Sequence, residues 1–411
     1  SMGSTKKQTL TKVQLPMGKQ MIILGINQTV MAALSFVVIA ALIAAPGLGK
    51  PIVTALTIRN VGDGFVAGLA VVFIAILLDR STSAAAKTDV SFIPPSKIEI
   101  QKRRLSVFLM GIFMIISIWL SRNILWAAIW PKNFDFSDSV SKTTNSITEW
   151  IVNNFQFLTV GFRDFISNYV LNSLQLLLAG SPWYITLTML ALIALIIGGL
   201  RVTLISIFLM LGIVICGLWN DTMVTLTQTI VATILTMIIG VILGILIGRN
   251  LKADKLLRPL LDAGQTLPAF VYLVPMLGLF GPTRFTAIAT GIVYSIPVVA
   301  KIVGEGIKNV SSSLVEAATS AGSTTWQIIS KVQLPASKSS ILLAANQGLI
   351  FVLAVIVIGG YVGSGALGYL VIVGNSKPEL QGKGLIAGFC IVLLGIMIDR
   401  IARAGAKRYG N

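Results

Sequence analysis

The 411-residue sequence has no histidine, only two cysteines and few charged residues, which make up 11% of the chain. Without histidine, a Ser-His-Asp arrangement has no base, and a zinc site lacks one of its main ligands. Cys216 and Cys390 fall inside apolar stretches, which predicts small buried side chains and no disulfide framework. Carboxylates are not clustered either. The sequence therefore predicts no catalytic residue, no metal site and no cofactor.

A phosphate-binding loop is also absent. No G-x-x-x-x-G-K-[ST] pattern occurs, so this chain is not expected to bind ATP. Residues 363–368 do match the dinucleotide pattern G-x-G-x-x-G. That fingerprint works only between a strand and a helix, whereas here it follows a long apolar stretch. We interpret it as a tight turn or a short gate segment.

Long apolar runs dominate the chain. The sequence is 55% hydrophobic with a mean hydropathy of +0.88, which is far from the composition of a soluble domain. A helix needs roughly 20 apolar residues to cross the hydrocarbon core of a bilayer. The sequence therefore predicts an all-α membrane protein, a polytopic helical bundle of about ten transmembrane helices. The predicted spans are 19–45, 64–80, 104–129, 183–200, 202–219, 223–248, 263–281, 285–303, 339–361 and 384–402.

The net charge of +17 is spread over many loops, which argues against a nucleic-acid partner and for a lipid membrane. If residues 304–338 face the cytoplasm, alternating spans place both termini on the same side. That side then holds 23 of the 32 lysines and arginines, against 9 on the other. This distribution follows the positive-inside rule and predicts a multi-pass protein of a cytoplasmic membrane with both termini cytoplasmic.

An internal repeat links the two ends of the chain. Residues 4–16 match residues 323–335 at a constant offset of 319, including Lys-Val-Gln-Leu-Pro in both copies. The match continues through Leu48-Gly49, and after a one-residue slip it extends to residue 80. Such self-similarity indicates duplicated units. The first copy lacks a Glu-Ala-Ala equivalent, which indicates a truncated first module; a degenerate extra pair of helices is the alternative.

A polar interruption between two apolar segments carries the most specific motif. It reads Glu316-Ala317-Ala318, three residues, Gly322, nine residues and Val332-Gln333-Leu334-Pro335. The pattern predicts a short amphipathic helix, a tight turn at the glycine and a proline that ends the element before the next span. It resembles the EAA loop of the ABC importer permeases, the binding-protein-dependent permease family. The resemblance implies that Glu316, Ala317, Ala318, Gly322, Leu334 and Pro335 couple the chain to an ATPase.

Two further strings narrow the resemblance. Residues 258–275 and residues 27–40 are similar to glycine betaine/proline betaine uptake permeases. The resemblance implies a type I ABC importer permease fold with a partial second copy, in a bacterial inner membrane. It also implies two cytoplasmic ATP-binding subunits, an external substrate-binding protein, and a second permease module or a homodimer. The expected cargo is a compatible solute such as glycine betaine, proline betaine, a related quaternary amine or trimethylamine N-oxide.

These patterns divide the chain into four predicted units. They are the C-terminal part of a first permease module at 1–80, a cytoplasmic linker at 81–103, a transmembrane helix with an external interfacial segment at 104–182, and a complete module at 183–411 with its coupling loop at 312–335.

Three prolines and two aromatic residues are candidates for the pathway. Pro268, Pro275 and Pro297 each permit a kink and are gate or hinge candidates, with a plain packing kink as the alternative. Phe270 and Tyr272 are candidate pathway residues, because aromatic faces attract quaternary ammonium groups. Nearby, Arg258 and Asp262 are expected to pair with each other.

Two other functions remain compatible with the sequence. An ATPase-independent secondary transporter or osmotically gated channel would also be a helical bundle with repeats. Such proteins often carry paired ionisable groups within the membrane, and none is evident here. A non-transporting scaffold is disfavoured by the intact EAA-like segment.

Overall fold

A computed structural model describes residues 5–18, 45–87, 97–124 and 135–409, and, between 21 and 41, residues 21–23, 25–26, 29–30, 33 and 40–41. Helices and turns account for the secondary structure of these residues, and no strand occurs among them. The predicted all-α class is therefore confirmed. The first predicted span, 19–45, and most of the predicted linker lie largely outside the described residues.

Fourteen helices of nine residues or more are described, and they are numbered here in chain order. They are α1 Gly49–Ile58, α2 Val61–Lys87, α3 Lys97–Asn123, α4 Ser137–Asn154, α5 Trp183–Gly198, α6 Leu200–Ile215, α7 Trp219–Arg249, α8 Leu251–Thr266, α9 Ala269–Phe280, α10 Arg284–Lys308, α11 Ser312–Ser320, α12 Lys338–Ile358, α13 Ala366–Ser376 and α14 Gln381–Tyr409. Short helical turns fill 157–178, between α4 and α5.

Among the described residues, six helices are long and apolar enough to cross a membrane, or up to eight if each of two bent helix pairs is one span. The six correspond to the spans predicted at 64–80, 104–129, 223–248, 285–303, 339–361 and 384–402. They are Val61–Thr82, Arg104–Asn123, Trp219–Arg249, Arg284–Lys308, Lys338–Val362 and Pro378–Arg408. The chain is thus a multi-pass helical membrane protein.

The other predicted spans that the structure describes, 183–200, 202–219 and 263–281, are shorter or broken. Helices α5 and α6 have 16 residues each and meet at Gly199, whose φ of 75° lies in the left-handed region. At 1.5 Å per residue each is about 24 Å long, less than the roughly 30 Å of a hydrocarbon core. The predicted span 263–281 is divided between α8 and α9, which meet at 101°. The sequence placed a span boundary within two residues of Gly199, but hydropathy did not detect the break between α8 and α9 inside the predicted span 263–281.

Helices α7, α10 and α12 form the centre of the bundle. Gly240, Gly244 and Gly248 of α7 lie against Val299, Val303 and Ile307 of α10, where an added Cβ would come within 2.4–2.7 Å of each valine or isoleucine side chain. The three glycines therefore let the two helices approach closely, as small residues do in membrane bundles. Each contacting pair is separated by 59 residues, so α7 and α10 run parallel.

The first repeat copy packs against α9. Buried apolar residues of α1 and α2, among them Ile52 and Val71, form one cluster with Phe270 and Leu273 of α9. Gly64 in α2 lies so close to Val274 that an added Cβ would be 2.9 Å from its side chain. The repeat units are therefore in direct contact, and α9 lies at their junction.

Helix α4 also contacts the first copy. The backbone N–H of Gly62 donates to Asn145 Oδ1 at 2.8 Å, and Ser141 Oγ donates to Asp63 Oδ1 at 2.7 Å. Thr148 of α4 packs against Gly278 of α9. Helix α4, which lies in the segment predicted to be external and interfacial, thus bridges α2 and α9.

Candidate functional site

The EAA-like motif folds as one continuous projection, Ser312–Ala336, here called the coupling segment. Its first part is α11, which ends at Ser320 and is capped by Ala321. The Ser323 N–H donates to the Ala318 carbonyl at 3.0 Å, and the Gly322 N–H donates to the Thr319 carbonyl at 2.9 Å. These two bonds form a Schellman motif, which requires a left-handed residue after the helix. Gly322 supplies it with a φ of 77°.

The coupling segment exposes both charge and apolar surface. Glu316 is exposed, and no hydrogen bond or ion pair of its side chain is found among the described residues. Leu314 is 51% exposed and Trp326 is 71% exposed. An unpaired carboxylate beside exposed Leu and Trp side chains is suited to contact with another protein, because aromatic anchors dominate binding at interfaces.

A capping box starts the second part of the coupling segment. The Gln327 N–H donates to Thr324 Oγ1 at 3.3 Å, and the Thr324 N–H donates to Gln327 Oε1 at 2.8 Å. This reciprocal pair satisfies two backbone N–H groups at the start of the helix, those of Thr324 and Gln327. Trp326 lies between these two residues, so the capping box fixes the backbone that carries the exposed indole.

The helical element ends at Ala336, one residue after Pro335 and before α12 begins at Lys338. The chain forms a π-turn over Ile329–Gln333 and continues helically through Leu334–Ala336 to a break at Ser337. Proline has no N–H to donate to the carbonyl four residues earlier. The preceding Leu334 N–H accordingly donates five residues back, to the Ile329 carbonyl.

The base of the coupling segment is anchored in the bundle. Gln333 is 7% exposed, and its Oε1 accepts a short hydrogen bond from Arg249 at the end of α7. Ser337, 2% exposed, donates to the Gln333 carbonyl at 2.7 Å. A displacement of the coupling segment would therefore reach α7 through Arg249 and α12 through Ser337.

Charged side chains of helix α8 form ion pairs with one another and with α10. Asp254 bonds to Arg258 at 2.9 Å and to Lys308 of α10 at 2.8 Å, and Arg258 also bonds to Glu305 of α10 at 2.7 Å. Asp262 pairs with Lys301 of α10. The expected pairing of Arg258 with Asp262 is thus wrong, because both side chains reach across to α10 partners that the local sequence does not reveal.

The three gate candidates lie at different places. Pro268 is the first residue before α9 and lies at the 101° bend between α8 and α9. Pro297 is buried in α10, and a Cβ added to Gly264 of α8 would be 3.2 Å from its ring. Pro275 lies inside α9. The bend between α8 and α9, at residues 264–268, is here called the elbow. Pro268 and Pro297 both lie at the elbow, and Pro275 lies two turns further along α9.

The two predicted pathway aromatics are not alike. Phe270 is 1% exposed and belongs to the core between the repeat copies, so in this conformation it lines no open path. Tyr272 is half-buried, and its hydroxyl donates to the Gly264 carbonyl at 2.6 Å across the elbow. Its ring also lies 5.8 Å from that of Tyr294, in an edge-to-face arrangement.

Other aromatic residues near these candidates were missed from the sequence. Tyr294 lies 5.7 Å from Phe351 of α12, and Tyr361 lies 6.1 Å from Phe270, measured between ring centroids. Only the tertiary packing of α9, α10 and α12 brings these rings together. Within the described residues, no group of three or more Cys, Asp or Glu side chains is arranged to hold a metal ion.

The start of the chain repeats the local structure of the coupling segment. The Gln8 N–H donates to Thr5 Oγ1 at 3.3 Å, and the Thr5 N–H donates to Gln8 Oε1 at 3.0 Å. A π-turn over Leu10–Gln14 and a short turn over Leu15–Met17 follow in the same order. The same capping box, π-turn and proline thus occur in both copies.

Comparison with known protein families identifies one match. The profile described as "Binding-protein-dependent transport system inner membrane component" matches residues 1–87 and 237–411. The two matched ranges contain the two copies of the internal repeat, and the coupling segment lies within the second.

Curated relatives agree with this profile. A trimethylamine N-oxide transport system permease protein of Pelagibacter ubique is 29% identical over 98% of this chain and 56% of its own length. A glycine betaine/proline betaine transport system permease protein of Salmonella typhimurium is 34% identical over 67% of this chain and 79% of its own length. The present chain thus spans about half the length of the trimethylamine N-oxide relative.

Among solved structures, an inward-facing conformation of the MetNI methionine ABC transporter covers 45% of this chain and 91% of its own, with 25% identity and a TM-score of 0.40. The family match does not depend on this likeness.

Proposed function

The chain belongs to the family of binding-protein-dependent transport system inner membrane components, and we propose that it is a membrane-spanning permease subunit of an ATP-driven importer. The observation that carries the proposal is the profile match, which includes both repeat copies and the coupling segment. In this proposal the chain catalyses no reaction itself. Hydrolysis belongs to separate cytoplasmic ATP-binding subunits, two per transporter.

The coupling segment is the proposed contact with those subunits. Its exposed Leu314 and Trp326 supply apolar anchors, and Glu316 supplies a carboxylate for a cationic partner residue. Closure of the ATPase pair would move α11 and, through the Gln333 to Arg249 hydrogen bond, the end of α7. Such a movement could convert an inward-facing cavity into an outward-facing one, as in alternating access.

The elbow between α8 and α9 is the proposed hinge. Pro268 and Pro297 lie there, and the ion pairs of α8 with α10 hold the elbow to the same helix that precedes the coupling segment. Movement of α10 would therefore change the angle of α9, which forms the junction between the repeat copies. Pro275 would permit α9 itself to bend.

The remaining partners and the orientation are also part of the proposal. The coupling segment would face the cytoplasm, with both termini on the same side, and an external substrate-binding protein would dock on the opposite face. Residues 1–80 would be the end of a first module and 183–411 a complete second one, joined by the 81–103 linker. Another permease module or a second copy of this chain would complete the transporter.

The cargo is proposed to be a methylated amine osmolyte. The two relatives are named for trimethylamine N-oxide and for glycine betaine/proline betaine, all of which carry a fully substituted nitrogen. Family membership favours this ATP-driven importer over an ATPase-independent secondary transporter or an osmotically gated channel.

Reconstitution tests the proposal directly. Proteoliposomes that contain this protein, its ATP-binding subunits and the external binding protein should accumulate radiolabelled glycine betaine or trimethylamine N-oxide when ATP is supplied on the ATPase side. Vesicles given a non-hydrolysable ATP analogue provide the control. Equal uptake without hydrolysis would reject the ATP-driven function and favour a channel or secondary transporter.

A further inference from the structure

A cavity of about 420 Å³ lies between the repeat copies, and we infer that it binds a small zwitterion with a methylated ammonium and a carboxylate. This inference rests on the proposed function and assigns the cargo a site within this chain. We call it the junction cavity. It is lined by Ala41, Val53, Leu56, Thr57, Arg59, Leu277, Pro282, Gly360, Tyr361, Gly363, Tyr369, Ile372 and Ser376. The volume lies within the range of small-molecule sites, roughly 300–1,000 Å³.

Repeat-related positions face this cavity from both sides. Val53 and Thr57 of α1 are separated by the repeat offset of 319 from Ile372 and Ser376 of α13, and all four line it. In a two-fold arrangement, equivalent residues meet only near the axis. The junction cavity therefore lies where the two copies are related by pseudo-symmetry, which is where repeat-built transporters commonly place their cargo.

One end of the cargo would meet aromatic rings. Tyr361 and Tyr369 both line the junction cavity, and Phe270 packs behind Tyr361 with 6.1 Å between ring centroids. Faces of tyrosine attract diffuse cations, and quaternary ammonium groups are recognised in this way. Phe270 is thus a positioning residue for Tyr361.

The other end would meet a guanidinium. Arg59 is the one charged side chain among the described residues that line the cavity, and it takes part in no ion pair among those residues. The nearest acid along the chain, Asp63, already accepts hydrogen bonds from Asn60 and Ser141. An arginine without a carboxylate partner is suited to bind one bidentately.

The backbone on both sides of the cavity is strained. Arg59 and Ala366 are the two non-glycine residues with positive φ in the described part of the chain, at 61° and 58°. Arg59 directly follows α1 and lines the cavity, and Ala366 begins α13 between the lining residues Gly363 and Tyr369. A left-handed non-glycine residue persists where the surrounding structure fixes it, and such residues cluster at ligand sites.

Saturation-transfer NMR on the full-length protein in lipid nanodiscs tests the inference, because the trimethyl protons give a strong signal. Glycine betaine should bind more tightly than tetramethylammonium or acetate, which each offer half of the recognised chemistry. Tyr369→Leu should weaken both glycine betaine and tetramethylammonium by about tenfold, whereas Tyr369→Phe should retain both. Tyr184→Leu, which removes an exposed tyrosine outside the cavity, should change nothing.

Arg59→Asn separates the carboxylate half, and asparagine tolerates the left-handed backbone that this position requires. The affinity for glycine betaine should fall by about tenfold, while the affinity for tetramethylammonium should be unchanged. The unchanged binding of tetramethylammonium would also show that the cavity remains folded. Equal effects on both probes, or none, would overturn the carboxylate assignment. Tighter binding of trimethylamine N-oxide than of glycine betaine would overturn it as well.

Failure of this inference and failure of the importer proposal give different results. ATP-dependent uptake that is unchanged in Tyr369→Leu and Arg59→Asn would remove the junction cavity from the pathway and leave the importer intact. The expected binding pattern without any ATP-dependent uptake would leave the cavity intact and reject the importer.

Discussion

The two copies of the repeated segment have the same local structure and different surroundings. Both have the capping box, the π-turn and the proline turn, in the same order. In the first copy, Gln14 is exposed, whereas the equivalent Gln333 is buried and bonded to Arg249. Local sequence therefore specifies the conformation of this element, while its attachment to the bundle depends on tertiary contacts that, among the described residues, are found for the second copy.

This difference bears on function. A segment that is only folded can be moved without moving anything else, whereas an anchored one transmits its movement. The second copy also has α11 in front of it, with Glu316 exposed and Gly322 in the Schellman turn. We therefore expect substitutions in the second copy to affect transport and tertiary stability, and those in the first copy to affect local structure alone.

Charge reversal at Glu316 should have the largest effect. Glu316→Lys would place a cation where the proposed partner presents one, so ATP-dependent uptake in proteoliposomes should be abolished while membrane insertion is unchanged. Glu149→Lys, the same charge change at an exposed position of α4, is the control and should transport normally. Normal uptake by Glu316→Lys would exclude this carboxylate from coupling.

Loss of the hydrogen bond between Gln333 and Arg249 should have the second-largest effect. Gln333→Ala takes away the acceptor of Arg249, and hydrogen bonds to charged groups contribute roughly 1.5–3 kcal/mol. The free energy of unfolding in bicelles should fall by about that amount, and uptake should fall with it. Gln14→Ala, the matched change in the first copy, should stay within about 0.5 kcal/mol, as is usual for surface sites. Equal losses in both variants would contradict the difference in anchoring.

The Schellman turn should be moderately sensitive. An added Cβ at position 322 meets no atom within 4 Å, so the cost of Gly322→Ala is backbone strain alone, roughly 1–2 kcal/mol for a left-handed L-residue. Gly322→Asn should cost less, because asparagine tolerates this region. Faster hydrogen exchange of the Ser323 amide in Gly322→Ala than in Gly322→Asn would be the expected readout, and the reverse order would contradict it.

The smallest effects should be equal in the two copies. Thr5→Ala and Thr324→Ala each remove a capping side chain, which costs about 1 kcal/mol. Hydrogen exchange of the Gln8 and Gln327 amides should rise by similar factors, because each cap is local. A much larger effect at Thr324 would show that tertiary contacts, and not sequence alone, maintain that cap.

Much of the helical architecture could be predicted because it depends on composition. Long uniform spans such as α7 and α10 are detected by hydropathy alone. Pro268 was predicted to permit a kink, since the residue before a proline is disfavoured in a helix, but the span 263–281 was still predicted as one crossing and the 101° bend was not expected. The break at Gly199 was predicted within two residues, as the boundary between the spans 183–200 and 202–219, where Gly198 and Gly199 stand together.

In the candidate site too, local features could be predicted from the sequence, whereas long-range contacts could not. The turn at Gly322 could be predicted, because a glycine after an amphipathic helix is a local signal. The Arg249 to Gln333 hydrogen bond and the contact of Phe270 with Tyr361 join positions 84 and 91 residues apart, and nothing in the sequence pairs them. The burial of Phe270 could not be predicted, because aromatic character does not reveal whether a ring faces a path or a core.

The parallel packing of α7 and α10 has a mechanical consequence. Two helices in close contact at three glycines over two turns resist sliding past each other, because each valine or isoleucine side chain would clash with the neighbouring backbone. Both helices end near the coupling segment, one at Arg249 and the other at Lys308. A force applied at that end therefore acts on α7 and α10 together, and we expect the packed pair to tilt as a unit instead of bending at its middle.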